Sequence, residues 1–297
     1  MMDERQEKPL ILFRYRGRTL DELSLTFVRS QIEQHGEKGR SHIARMLCEH
    51  WGWRQANGAL KEFACRDFLL RLEEAGLVVL PARKCTKNNL KPKDFSRIPF
   101  FVQQSLAGGV SHFSGLEVRP VADREERYLC DWLIHHHHYL GYDAPVGEHL
   151  KYLAFLSGQV VACIIWASAA WRCGSRETFI GWNDSQKRAH LPLVANNVRF
   201  LILPWIQIKH LASKILAANT RRLSGDWQEK WNHQVVLAET FVDIERFAGT
   251  CYRAANWIFA GVTKGSAKRG ASYYHHGHPK ALYLYPLHPR FRERLCL

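Results

Sequence analysis

One segment constrains the fold more than any other: Arg199-Phe-Leu-Ile-Leu-Pro-Trp-Ile-Gln-Ile-Lys-His-Leu-Ala-Ser-Lys-Ile-Leu216. It begins with an apolar run typical of a buried strand, turns at Pro204, and continues with apolar residues at helical spacing. The pattern predicts a central strand at Phe200–Leu203 and a helix at Trp205–Leu216. A strand that passes directly into a helix is typical of layered α/β domains.

The rest of the C-terminal half supports an α/β (α+β) class with a mixed sheet flanked by helices. Tyr152 to Trp171 is uncharged over 20 residues, which is about the length of a membrane span. The turn signal Ser157-Gly158 divides it, so we expect a buried hairpin and no membrane partner. The other predicted elements are strands at Leu116–Pro120 and Val235–Val242 and helices at Glu125–His137 and Phe247–Trp257.

The N-terminal segment predicts three helices and a strand. Apolar residues at helical spacing follow Leu25 and Ile43, and a longer helix follows the Asn57-Gly58 break. The third predicted helix ends at Gly76, and the apolar run Leu77–Leu80 predicts a strand. This order is that of a winged helix-turn-helix, in which the third helix enters the major groove of DNA. A helical cap with a solvated basic face remains the alternative.

The charge of the chain favours a polyanionic partner. Lys and Arg number 42 against 28 Asp and Glu, a formal net charge of +14, and such an excess points to nucleic acid. The cations and polar residues that we expect to contact DNA are Arg40, Arg54, Asn57, Lys61, Arg66, Lys84, Lys264, Lys268 and Arg269.

Composition shifts predict four segments. Residues 1–84 form the winged-helix-like domain, and 85–115 form a basic, proline-containing linker. Residues 116–263 form the α/β domain, and 264–297 form a basic segment rich in Tyr and His. The eight cysteines are scattered without a C-x-x-C pair, and the charged N-terminus lacks the apolar core of a signal peptide, so we expect a cytoplasmic protein.

The strand and helix order from Leu116 onward resembles the GNAT acetyltransferase fold. That family's acyl-CoA turn reads roughly P-x-x-R/Q-G-x-G-x-G/A, and Gln207 and Ala212 match it, whereas Ile208 and His210 replace its glycines. A β-branched residue and an imidazole would crowd a backbone cradle for phosphate, so the sequence disfavours acyl-CoA. The resemblance places Tyr252 where the family often carries the residue that protonates the leaving thiolate.

The chain carries several long motifs in order: Gly52-Trp-Arg-Gln-Ala-Asn-Gly58, His137-His-Tyr-Leu-Gly141, Phe179-Ile-Gly-Trp182, Asn196-Asn-Val-Arg-Phe-Leu-Ile-Leu-Pro-Trp205, Glu239-Thr-Phe-Val-Asp243 and Gly249-Thr-Cys-Tyr-Arg-Ala-Ala-Asn-Trp257. With these motifs, nearly the whole chain resembles the DruA family. This resemblance implies association with Druantia anti-phage defence or with mobile elements, and partnership with other defence proteins.

Several polar residues could carry chemistry. Four histidines in a row, His135 to His138, must point in different directions, so at most two converge, and His137 or His138 could shuttle protons or bind metal. Glu239 and Asp243 share one strand face and could hold a divalent metal. The simpler alternative buries Glu239 in an ion pair with Arg199. Catalytic candidates are therefore His137, His138, Asn197, Glu239 and Tyr252.

Three functions remain open from the sequence. The first is a DNA-binding component of a defence or mobile-element system. The second is a metal-assisted or acid–base enzyme that acts on nucleic acid, and the third is an acyltransferase with a degenerate acyl-CoA turn. The residues do not decide whether the protein is an enzyme or which cofactor it would use.

Overall fold

A computed structural model describes residues 11–15, 18–84, 92–113, 115–269, 272–275 and 277–297, with the backbone alone for 266–269 and 272–275. Part of the expected linker, 85–91 and 114, lies outside the described residues. The chain divides into two compact units, Met1–Pro92 and Lys93–Leu297. We call them the N-terminal unit and the C-terminal unit.

The N-terminal unit packs three helices beside a short hairpin. Strands β1 (Phe13–Tyr15) and β2 (Arg18–Leu20) pair antiparallel. The helices are α1 (Glu22–His35), α2 (Arg40–His50) and α3 (Glu62–Glu74). The three helices predicted from periodicity are confirmed, and their apolar faces form one buried core that includes Val28, Leu47, Phe68 and Leu72.

The strand predicted at Leu77–Leu80 is wrong, because in the part of the chain that the structure describes this segment pairs with no strand. Its backbone groups bond to the helices instead. Leu77 N donates to Leu72 O, Leu77 O accepts from Arg29 Nε at 3.1 Å, and Leu80 N donates to Glu73 Oε1 at 3.0 Å. Buried Val78 and Leu80 hold the segment against the helical core, which satisfies its polar groups without a partner strand.

The C-terminal unit is built on one large mixed sheet. Among the described residues its strand order is β10-β13-β9-β7-β6-β5-β4. Neighbouring strands run antiparallel except β7 and β9, which are parallel. Its strands are β4 (Glu117–Pro120), β5 (His149–Leu156), β6 (Gln159–Ser168), β7 (Val194–Ile202), β9 (Leu237–Asp243), β10 (Ile258–Val262) and β13 (Lys280–Pro286).

Helices cover both faces of this sheet. Along β13, Ala281 and Tyr283 belong to one buried core and Leu282 and Leu284 to another, as strand alternation requires. The first core includes α4 (Arg124–His137) and α7 (Leu211–Trp231), and the second includes α5 (Gly174–Ile180) and α9 (Phe291–Cys296). Helix α6 (Asp184–His190) packs against α9. The predicted mixed sheet flanked by helices is therefore confirmed.

The uncharged stretch from Tyr152 forms the predicted hairpin, β5 with β6, at the centre of the sheet. A central strand is covered on both faces, so its sequence is apolar at nearly every position. In the part of the chain that the structure describes, no helix has the length and apolar character needed to span a bilayer.

Two predicted helices begin later than periodicity indicated. The residues after Pro204 form strand β8 (Ile206–Lys209), which pairs in parallel with β3 (Leu106–Gly109), and α7 starts at Leu211. The last predicted helix shortens to α8 (Thr250–Ala254) because Gly249 and Asn256 flank it at φ +69° and +63°. A separate hairpin joins β11 (Ser266–Arg269) and β12 (Ser272–His275).

Candidate functional site

A cleft opens in the large sheet where two parallel strands separate. β7 and β9 pair from Val194 with Leu237 to Asn197 with Thr240, and each strand then continues beyond the last pair. The continuing residues, 198–202 and 241–243, line a cavity of about 620 Å³. Such a volume suits a small ligand or one unit of a polymer. We call this cavity the sheet cleft.

A β-bulge accounts for the separation. β6 pairs Ile165 with Arg199 but Trp166 with Asn197, so Val198 is the extra residue on β7. A bulge bends the strand that carries it and increases its local twist. It lies immediately after Asn197, the last residue of β7 that pairs with β9, and the bend therefore directs the rest of β7 away from β9. Asn197 was expected before the central strand, but it lies within it.

Three polar side chains form the floor of the sheet cleft. The Tyr252 hydroxyl donates to Asn197 Oδ1 at 2.9 Å and accepts from Thr240 Oγ1 at 3.4 Å. Asn197 Nδ2 donates to Ile165 O and Arg199 O, at 3.2 and 3.1 Å. Burial raises the pKa of Tyr252 above its ordinary value. Its proton is thus retained and directed at Asn197, which favours a structural role over proton donation to a ligand.

The histidine run diverges as its spacing requires. His137 and His138 line the sheet cleft. His135 instead stacks on Phe95 with ring centroids 4.4 Å apart, and His136 stacks on Trp132 at 4.1 Å. The run therefore brings two histidines, not four, to the site.

His138 is held as a neutral ring. Its Nδ1 accepts from the Leu140 backbone N–H at 3.2 Å, so the proton of the neutral ring resides on Nε2. Burial, and then the charge of Arg199, lower the pKa of His138 to about 4. Burial also lowers the pKa of His137. At neutral pH the sheet cleft therefore presents imidazoles rather than imidazolium charges.

Arg199 and Glu239 do not form the ion pair that the sequence suggested. Arg199 donates to Gly141 O at 3.0 Å and to Asp143 Oδ2 at 3.2 Å. Glu239 instead accepts from Arg176 Nη1 at 3.0 and 2.9 Å, and both side chains are 0% exposed. Arg176 was missed from the sequence as the partner of Glu239. The signal that could have indicated it is the positive charge of Arg176 within the short helix α5.

Glu239 and Asp243 are separated by their partners. Glu239 bonds to α5 and is not among the residues that line the sheet cleft, whereas Asp243 lines it. Asp243 Oδ2 lies 3.5 Å from Arg246 Nε, and Asp243 is paired with Lys280 on the neighbouring strand β13. Within the described residues no group of three or more His, Cys, Asp or Glu is placed to hold a metal ion. The geometry thus places His137, His138, Asn197 and Tyr252 together and leaves Glu239 apart.

The acetyltransferase resemblance implies acyl-CoA, and residues 206–212 do not fit it. The segment expected as a glycine turn is strand β8, paired along its length with β3, and Leu106 N donates to Trp205 O at 3.2 Å. Ile208 packs against the core, and His210 adopts φ +64°, the backbone conformation that glycine favours. Pairing with β3 engages the backbone of this segment, which an open phosphate cradle requires to be accessible.

A second cavity, of about 500 Å³, lies in the N-terminal unit between the start of α2 and α3. We call it the basic cavity, because its charged lining is Lys38, Arg40, Arg66, Arg83 and Lys84 with the single carboxylate Asp67. Arg40, Arg66 and Lys84 were expected at a DNA surface. Lys38 and Arg83 were missed, although each lies within two residues of a predicted contact.

The remaining predicted DNA contacts are dispersed. Lys61 is the N-cap residue of α3. Arg54 and Asn57 close the loop between α2 and α3, where Arg54 Nη1 donates to Gly58 O and Asn57 Oδ1 accepts from Ala59 N. Lys264 is an exposed residue that follows β10. Lys268 and Arg269 belong to β11, and their side chains lie outside the described part of the chain.

Comparison with protein families assigns the chain. The family described as Druantia protein DruA matches residues 81–290. The chain belongs to this family. The match includes the sheet cleft and covers the motifs from His137 onward that carried the resemblance. No curated protein sequence matches the chain.

Solved acetyltransferase structures are similar to the chain at low identity. An aminoglycoside acetyltransferase bound to coenzyme A is 16% identical, covers 61% of this chain and 98% of its own, and has a TM-score of 0.38. The ribosomal-protein-S18-alanine N-acetyltransferase of Escherichia coli is 9% identical, covers 58% and 94%, and has a TM-score of 0.36. A GNAT acetyltransferase of Bacillus cereus is 7% identical, covers 46% and 69%, and has a TM-score of 0.29.

Proposed function

We propose that this DruA-family protein is the DNA-binding component of an anti-phage defence system, or of a related mobile element, and acts in the cytoplasm with other proteins of that system. Family membership supports the association with defence. The observation that carries DNA binding is the basic cavity, where five cations surround one carboxylate. Clustered Lys and Arg neutralise phosphates and release counterions, which is the main source of affinity for DNA.

The basic cavity is pre-arranged for an anion. Arg66 Nη1 donates to Ser41 Oγ at 3.2 Å, and its guanidinium lies 4.3 Å from the ring centroid of Phe63. Both contacts limit the conformations of the Arg66 side chain, so less entropy is lost when it meets a phosphate. Asp67, the single carboxylate, accepts from the Tyr15 hydroxyl.

The first turn of α2 adds to this field. Its N-cap residue is Gly39, which has no side chain to cap the helix, and the turn contains no acidic residue. The positive end of the helix dipole therefore acts in the same direction as the cations of the basic cavity.

We propose that α3 lies against the major groove, with its N-terminal end toward the bases. Lys61 is the N-cap residue of this helix, and Phe63, in its first turn, is 80% exposed. The order of α1, α2 and α3 follows the helix-turn-helix arrangement, in which the first residues of the recognition helix contact base edges.

The test is the salt dependence of duplex binding by the full-length chain, measured by fluorescence anisotropy. Arg40 already pairs with Glu73 at 3.5 Å, so four cations remain for phosphates: Lys38, Arg66, Arg83 and Lys84. Four contacts predict a slope of about −3.6 in log affinity against log salt, or about 150-fold weaker binding at about 200 mM than at about 50 mM. Arg66→Ala should reduce the slope to about −2.7 and the loss to about 40-fold.

Arg71→Ala is the matched control. Arg71 lies on the same helix and carries the same charge, but it pairs with Glu74 at 2.6 Å and does not line the basic cavity. We expect this variant to retain the wild-type slope. Equal slopes for the wild type and Arg66→Ala would exclude the basic cavity as the duplex-binding surface.

A second candidate function is acid–base chemistry on nucleic acid in the sheet cleft. It is favoured by the neutral His138, whose Nδ1 is engaged by Leu140 N and whose Nε2 carries the proton. Supercoiled plasmid incubated with and without divalent metals would reveal nicking. Nicking that is lost in His138→Ala would support this function, and intact plasmid under every condition would exclude it.

A further inference from the structure

The mouth of the sheet cleft exposes apolar and aromatic side chains that a folded protein ordinarily buries. Tyr139 is 38%, Leu140 44% and Phe247 51% exposed, and all three line the cavity. We call these three residues the cleft rim. Exposed aromatic residues grouped at one cavity mark a binding surface rather than a core.

The two rings of the cleft rim form a platform. Their centroids are 5.4 Å apart and their planes differ by 59°. The Arg246 guanidinium lies 5.1 Å from the Tyr139 ring centroid, so a cation covers part of one ring while Phe247 retains an open surface. A flat heteroaromatic group stacks favourably on such a surface, and a nearby guanidinium adds a cation–π contribution.

The charges around the cleft rim favour an anionic ligand. Two of the carboxylates nearby are paired with arginines, Asp243 with Arg246 at 3.5 Å and Asp143 with Arg199 at 3.2 Å. A third, Glu245, lies 3.2 Å from His278. Lys280 also lines the cleft. Arg253 donates at 2.8 Å to the backbone oxygen of Ala248, which is another lining residue. Positive charge is therefore in excess at the mouth.

The interior suits one unstacked base. About 620 Å³ lies behind the cleft rim, within the range of small-ligand sites. His138, a neutral imidazole that carries its proton on Nε2, lines this space. The side chains of the floor, Tyr252, Asn197 and Thr240, are bonded to one another. A base within a duplex cannot reach such a site, because its faces are covered by its neighbours.

We propose that the cleft rim binds single-stranded DNA, with one base stacked on Phe247 and Tyr139 and with the flanking phosphates held by Lys280 and Arg253. This inference deepens the proposed function and rests on it for the choice of DNA as the polymer. Stacking platforms combined with cations are the common mode of single-strand recognition. The surface is separate in sequence from the basic cavity, so the two can be tested independently.

The experiment measures binding of the full-length chain to a fluorescein-labelled oligothymidine of about 20 nucleotides and to an abasic strand of equal length. The two strands have the same phosphates and differ only in their bases. We expect the abasic strand to bind at least about fivefold more weakly, and Phe247→Ala to weaken oligothymidine binding at least about fivefold. Phe247→Tyr, which keeps the ring, should remain within about twofold of the wild type.

Trp171→Ala is the control for loss of an exposed aromatic residue, because Trp171 is 46% exposed and does not line the sheet cleft. It should bind oligothymidine as the wild type does. Equal binding of oligothymidine and the abasic strand, or wild-type binding by Phe247→Ala, would overturn the inference. Duplex binding measured on the same variants separates the proposals: it should be unchanged in Phe247→Ala, and its absence from the wild type would reject the proposed function instead.

Discussion

Replacing Glu239 with glutamine should destabilise the C-terminal unit strongly. Arg176 donates to both carboxylate oxygens of Glu239 and, through Nη2, to Ala170 O at 2.7 Å. Both charged side chains are fully buried. Glutamine keeps the shape of glutamate but removes its charge, so the variant leaves a guanidinium in the protein interior without a counter-charge.

The expected magnitude follows from that burial. Removing one partner of a buried ion pair costs about 3–5 kcal/mol, whereas a domain is stable by only about 5–15 kcal/mol. For a unit of this size, each kcal/mol lowers the melting temperature by about 2–4 °C. We therefore expect Glu239→Gln to melt roughly 6–20 °C below the wild type.

Guanidinium chloride unfolding followed by tryptophan fluorescence measures this loss, since the chain contains 10 tryptophans. The midpoint should fall while the slope with denaturant stays constant. Glu245→Gln is the matched control, because Glu245 is an exposed carboxylate paired with His278. Its effect should remain within about 0.5 kcal/mol.

A double variant completes the test. Arg176→Met combined with Glu239→Gln removes both charges, and it should recover most of the stability that the single variant loses. A wild-type midpoint for Glu239→Gln would refute the reasoning, as it would show that Arg176 needs no counter-charge. The prediction also affects assays of catalysis, because lost activity in Glu239→Gln would first have to be separated from unfolding.

Further predictions concern the sheet cleft. Gly249→Ala should lower the melting temperature more than Gly52→Ala does. Both glycines have positive φ, but only a Cβ at position 249 would meet Tyr283 Oη, at 2.6 Å. Equal losses of melting temperature would mean that the contact with Tyr283 relaxes. The pKa of His138 is lowered to about 4. The contribution of the neutral ring to the free energy of unfolding is therefore complete above about pH 6.5 and is lost as the pH falls toward about 4. His138→Gln should flatten the stability profile over this pH range, and an unchanged profile would contradict the burial of the ring. Calorimetry with acetyl-CoA should show no binding, and saturable heat would indicate that β8 opens.

Local patterns predicted much of the secondary structure. Helical spacing after Leu25 and Ile43 indicated α1 and α2, and the uncharged stretch around Ser157-Gly158 indicated the central hairpin. These predictions hold because periodicity records which side of an element is buried, and that is a property of consecutive residues. The cationic composition likewise indicated a polyanionic partner without reference to the fold.

The sequence by itself thus determined many of the elements, the α/β class and the family motifs. The tertiary structure alone decided that Glu239 pairs with Arg176, that β3 covers β8, and that the sheet opens after Asn197. Arg176 and Glu239 are 63 residues apart, and β3 meets β8 across a still longer separation, with Leu106 opposite Ile206. The choice between distant partners depends on which surfaces pack together in three dimensions, and the spacing of residues along one strand or helix carries no record of that choice.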